Sequence, residues 1–147
     1  MRPDRAIRGL LVGVPLLGVL LALVACTQSG AVLVDESGAV SEWRYHPAPV
    51  VVDFADLDEF AAMEAAGALQ VTAPEGWDVR VVWGTQPCRT RPTIRVHGSA
   101  TAIAAIEVDH GPAPGDCADS LEIHAVDLRV SPGTATTGIV VSGRGKG

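Results

Sequence analysis

Residues 121–130 (LEIHAVDLRV) alternate apolar and polar side chains more cleanly than the rest of the chain, and no other stretch constrains the fold as much. Successive side chains of a strand point to opposite faces, so the pattern predicts a β-strand with one buried and one wetted face. The apolar set is Leu121, Ile123 and Ala125, then Val126, Leu128 and Val130; the polar set is Glu122, His124, Asp127 and Arg129. The phase slips at Ala125-Val126, where a β-bulge would restore the register and keep the polar row, His124 included, in solvent.

Shorter runs repeat the message. Residues 31–35, 40–46, 50–52, 78–83, 93–97, 103–109 and 138–142 are rich in β-branched or aromatic residues and are punctuated by Gly and Pro, as strands and their turns are. One helix is expected after Asp56, where Glu59 stands at capping-box spacing and Gly67 supplies a stop. Its apolar face is read as Leu57, Phe60, Ala61, Ala65 and Ala68, interrupted by Glu64. The expected fold is mainly β, sandwich-like, or α+β: short antiparallel strands with one short helix and one disulfide. Trp83 stands five residues before Cys88, on a strand and its exit, which departs from the immunoglobulin pattern.

The N-terminus is of another kind. Arg2, Arg5 and Arg8, partly offset by Asp4, precede 17 residues without a charge, 9–25. This is a basic region followed by an apolar one, as in an export signal. Its length is near the lower limit for crossing ~30 Å of hydrocarbon, and Pro15 and two internal glycines weaken it as a permanent span. It ends in Leu23-Val24-Ala25-Cys26, which resembles the lipobox of bacterial lipoproteins. The resemblance implies that the Cys26 thiol receives a diacylglycerol and that cleavage makes Cys26 the new N-terminus. The chain then divides into a signal peptide (1–25), a lipidated tether (26–30), one globular β-rich domain (31–142) and a flexible tail (143–147). The expected location is the outer face of the cytoplasmic membrane, with acyl chains such as palmitate supplying ~0.8 kcal/mol per buried methylene.

Charge narrows the partners. The chain has 11 basic and 17 acidic residues; without the leader these become 8 and 16, a net charge of about −8. Nucleic acid, whose phosphates need basic partners, is not expected as a ligand. The membrane is expected as a partner only through the lipid on Cys26. In an oxidising exported compartment the remaining cysteines, Cys88 and Cys117, are expected to pair as a disulfide. Two free thiols or a metal pair are the alternatives, and neither cysteine belongs to a CxxC. Residues from Trp83 through Cys88, Ile94, Val96 and Cys117 to Leu128 loosely resemble small uncharacterised lipoproteins of high-GC Gram-positive bacteria, and the likeness brings no activity with it.

No catalytic signature stands out. The chain lacks GxSxG, SxxK and HExxH, and the terminal Gly-Arg-Gly-Lys-Gly lacks the spacing of a phosphate loop. Ser120, His124 and Asp109 can be drawn as a triad, but a chain of this size always allows some such choice. Asp53, Asp56, Asp58, Glu59 and Glu64 read as helix capping and a solvated face rather than a calcium loop. Trp43, Tyr45 and Trp77 are candidates for a binding patch, or for core. The expected function is a non-enzymatic binding or envelope-accessory module with no cofactor. The alternative is a small metal-dependent envelope enzyme using His97, Asp109, Glu122 and His124.

Overall fold

The structure, a computed structural model, describes residues 30–87, 91–112 and 120–146. Its strands are β1 (Val32–Asp35), β2 (Val40–His46), β3 (Leu69–Val71), β4 (Val79–Thr85), β5 (Thr93–Ser99), β6 (Ala102–Pro112), β7 (Glu122–Val130) and β8 (Val140–Lys146), and its helix is α1 (Leu57–Ala66). The fold is mainly β. Two four-stranded sheets run in the orders β1-β5-β6-β8 and β2-β7-β4-β3. The second sheet is antiparallel throughout, as expected. The first is mixed, because β1 pairs β5 and β8 pairs β6 in parallel.

The two sheets share one core. Ile94, Val96, Ile106 and Val108 from the first meet Val79, Val81, Trp83, Val126 and Leu128 from the second, all buried. The chain passes between sheets through a turn built by Asp35. Its Oδ1 accepts the backbone N–H groups of Ser37 and Gly38 at 3.0 and 3.1 Å, and its Oδ2 accepts that of Val40 at 3.0 Å. Such side-chain acceptance is what makes Asp a turn former.

The helix lies on the far face of the second sheet. Asp56 caps it by accepting from the Glu59 N–H at 3.0 Å, and Glu59 reaches back to the N–H of Ala55 at 2.8 Å. Gly67 ends it in the left-handed region, φ 77°. A second cluster of Met63, Val82 and Ala125 forms beneath it, flanked by Phe54, Phe60, Leu69, Val71 and Ile123. The expected helix face is therefore corrected. Met63 is the buried contact, whereas Leu57 is 86% exposed and Ala61, Glu64 and Ala65 face solvent. A helix this short touches the sheet along one line, and the bulky pair Phe60 and Met63 covers more area than the alanines do.

The helix also explains the phase slip in β7. No bulge occurs at Ala125-Val126: β7 pairs β4 without a break from Glu122 to Leu128, and the one register shift against β2 lies between Val40 and Glu42. Ile123 and Ala125 belong to the helix-facing cluster, Val126 and Leu128 to the inter-sheet core. Both faces of this strand are covered, so both carry apolar residues.

Other differences are local. Residues 50–52 form no strand; the N–H of Val50 donates to the Ile123 carbonyl at 2.8 Å. β3, which was not expected, pairs β4. Gly143 to Lys146, expected as a tail, continue β8 alongside β6. There Gly143 passes so close to the helix stop that a Cβ on it would lie 2.1 Å from the Gly67 carbonyl oxygen. Among the described residues no helix is long and apolar enough to cross a membrane.

Candidate functional site

Two polar centres stand on the second sheet, one on each face. On the outer face Asp127 sits on β7 with Arg44 of β2 and Arg80 of β4 as its direct cross-strand neighbours. Alternation puts all three side chains on one side. Arg80 donates from Nε and Nη2 at 2.6 and 3.0 Å, Arg44 from Nη2 at 2.9 Å, and His46 places Nε2 2.7 Å from Oδ2. The Asp127 side chain is fully buried. Burial by itself raises the pKa of its carboxyl, but the bonds from Arg80, His46 and Arg44 outweigh it and hold the group at about 2. The same contact raises Arg80 further, against a smaller opposing effect of its burial. This cluster was missed at the level of sequence, where Asp127 fell in a solvent-facing row. No local pattern marks it, because Arg44, Arg80 and Asp127 become neighbours only through the register of β2, β4 and β7.

On the inner face, at the end of the sheets where β7 begins and β4 ends, Trp83 and His124 form a direct cross-strand pair. Tyr45 stacks on both, at 6.1 and 6.2 Å between ring centres and 10° and 18° between planes. The His110 ring approaches Trp83 edge-on at 6.1 Å. Burial raises the Tyr45 pKa. His110 and His124 are 5% and 7% exposed, so two imidazoles are more than nine-tenths buried here. His124 was expected in solvent and is instead turned inward. Its Nδ1 lies 3.1 Å from the His46 carbonyl oxygen and 3.4 Å from the Tyr45 hydroxyl, and its Nε2 lies 3.3 Å from Glu122.

Beside these rings the sheets open into a cleft of about 240 Å³. Trp83, His110, His124 and Tyr45 form its floor, and Gly30, Thr85, Gln86, Arg91 and Glu122 are among the residues round it. Arg91 is exposed, and no ion pair to it occurs among the described residues.

The four residues of the enzyme alternative do not converge. Glu122 and His124 line the cleft. His97 lies on the outer face of the first sheet, where its Nδ1 is 2.8 Å from Glu36 and its Nε2 is 3.9 Å from Glu107. Asp109 pairs with Thr93, four residues along β5 from His97 and therefore ~13 Å from it at 3.3 Å per residue. No group of three or more His, Cys, Asp or Glu is placed to hold a metal ion among the described residues. The aromatic candidates separate as well. Tyr45 lines the cleft, Trp43 packs against the inter-sheet core, and Trp77 lies under the guanidinium groups of Arg44 and Arg129 at 4.7 and 5.1 Å. Cys26, Cys88 and Cys117 lie outside the described residues. Comparison with protein-family models, with curated proteins and with solved structures finds no match to this chain.

Proposed function

We propose that the chain is an extracytoplasmic lipoprotein, cut before Cys26 and moored by its acyl chains, whose β-sandwich domain binds a small ligand without transforming it. The observation that carries the binding reading is the cleft lined by Tyr45, Trp83, His110 and His124, because a concavity with aromatic walls and a few convergent polar groups is the usual make-up of a ligand site. The dispersal of His97, Asp109, Glu122 and His124 favours this over the metal-dependent enzyme. The envelope setting rests on the lipobox and the charge-free run before it. Gly30, beside the cleft, is four residues from Cys26, so an extended tether spans at most ~14 Å and the cleft belongs to the moored end.

Two measurements test the two halves. Labelling with an alkynyl fatty acid should mark the wild-type chain and leave Cys26→Ala unmarked and uncleaved; equal labelling defeats the anchor. A fragment library read by thermal shift should give hits that Gln86→Trp, which fills the cleft mouth, abolishes. Hits indifferent to that substitution, or none, defeat the cleft as the binding surface.

A further inference from the structure

The chemistry of the cleft narrows its ligand, given the binding reading above. Its floor consists of rings. Trp83 is 1% exposed, covered by the stacked Tyr45 ring with His110 at its edge, so the flat surface on offer is the half-buried Tyr45 ring, flanked by the exposed Pro47 and Pro87. A volume of about 240 Å³ falls below the ~300–1,000 Å³ of sites for drug-sized molecules, so the occupant is small, close to a single ring with one polar substituent.

The charges round the floor are unequal in availability. Glu122 is the one acidic residue among those lining the cleft, and the Nε2 of His124 already engages it at 3.3 Å. Arg91 is exposed at the rim with no ion pair among the described residues. Thr85 and Gln86 add a hydroxyl and an amide on the same side as the β4 exit. A guanidinium offers several N–H donors in a planar fork matched to a carboxylate. The lining therefore presents an unspent cation and further donors against a carboxylate that is already occupied. It suits a ligand that brings acceptors and one negative charge.

A metal ion is a poor fit. The two imidazoles approach Trp83 in different ways, His124 stacked at 6.5 Å and His110 edge-on at 6.1 Å, with the indole as their common neighbour. Both nitrogens of His124 already face protein atoms.

We propose that this cleft is a binding site for a small organic carboxylate with a flat body, the ring lying on Tyr45 and the carboxylate reaching Arg91. The chain acts on it by binding only; no bond is made or broken.

The test uses the full-length lipidated chain in phosphatidylcholine nanodiscs, titrated by calorimetry with benzoate, benzamide and benzylamine. These probes share a ring and differ in charge. Benzoate should bind about tenfold tighter than the other two, a ratio equal to about 1.4 kcal/mol. Arg91→Gln should abolish that preference with no change in melting temperature, since Arg91 is exposed. Glu122→Gln should strengthen benzoate binding by removing the one negative charge of the lining. If benzylamine or benzamide binds as well as benzoate, or if Arg91→Gln leaves the preference intact, the carboxylate assignment is overturned while the cleft remains a binding surface. If none of the three binds and the fragment screen also yields no cleft hit, the binding reading falls with it.

Discussion

Arg80 holds both carboxylate oxygens of Asp127, Nε to Oδ1 at 2.6 Å and Nη2 to Oδ2 at 3.0 Å, across the register that joins β4 to β7. A fully buried carboxylate is costly unless opposite charge and hydrogen bonds surround it. Here two strands and a third partner, His46, supply both, so the pair helps fix β2 and β4 on either side of β7. Asp127→Ala leaves Arg80 without its acceptor and should cost about 3 kcal/mol in urea unfolding, at the low end for broken buried pairs because Arg44 is half exposed.

The same carboxylate makes stability depend on pH. Its pKa is about 2 in the folded chain against 3.8 for the free side chain. A depressed carboxylate pKa stabilises above the unfolded value, and that stabilisation disappears as pH falls through the folded one. The wild type should therefore lose about 2 kcal/mol between pH 5 and pH 2 from this group alone. Asp127→Asn should flatten that part of the profile. An equally steep acid limb in the variant would assign the loss to other carboxylates.

Met63 and Leu57 belong to one helix and differ in burial, 1% against 86% exposed. Met63→Ala should lower stability by about 2–4 kcal/mol through lost burial and the cavity left over Val82 and Ala125. Leu57→Ala should change it by less than about 0.5 kcal/mol. Chemical denaturation of the two variants side by side checks the orientation of the helix, and equal losses would contradict it.

Where local rules act alone, the chain was readable. The limits of β2, the Asp56 cap and the Gly67 stop depend on residues within a few positions of each other, and all three stand where the residue types put them. What escaped depends on partners distant in sequence. The slip at Ala125-Val126 looks like a bulge until α1 is known to cover Ile123 and Ala125, and then plain alternation explains it. His124 follows its strand inward to Trp83, a position that looks wet only while the opposite sheet is unknown. The valines at 50–52 have strand propensity but find only one backbone partner among the described residues, Ile123, so propensity without a ladder made no strand. Of the candidate site, Glu122, His124 and Tyr45 stand out by residue type and Trp83 by its place before Cys88, whereas His110 and Arg91 join them only because the strands that carry or flank them meet at the same edge of the core.

Cys88 and Cys117 carry a prediction that rests on location. β4 ends at Thr85 and β7 begins at Glu122, and these two residues are paired directly, three and five positions from the cysteines. We propose the disulfide on this basis and on the exported setting. Alkylation of the unfolded, unreduced domain should find neither thiol free. Reduction should lower the melting temperature, because closing a loop of about 30 residues contributes roughly 3–4 kcal/mol in the chain-entropy picture. Two titratable thiols would remove the bridge.

The proposed anchor at Cys26 predicts how the domain would stand on a bilayer. Gly30 and Gln86 both border the cleft at the end where β7 begins, whereas Pro132 follows the opposite end of that strand. The nine residues of β7 separate the two ends by ~30 Å. With Cys26 acylated, the short tether should bring the cleft end toward the headgroups and keep Pro132 away. A fluorescent amino acid placed at Gln86 should be quenched strongly by headgroup-spin-labelled lipid in vesicles, and the same residue at Pro132 weakly. The contrast should vanish in a chain with a long flexible insertion after Cys26, because the domain then tumbles free of the surface. Equal quenching at both positions with the native tether would show that the cleft does not face the membrane, and its ligand would then arrive from the aqueous side.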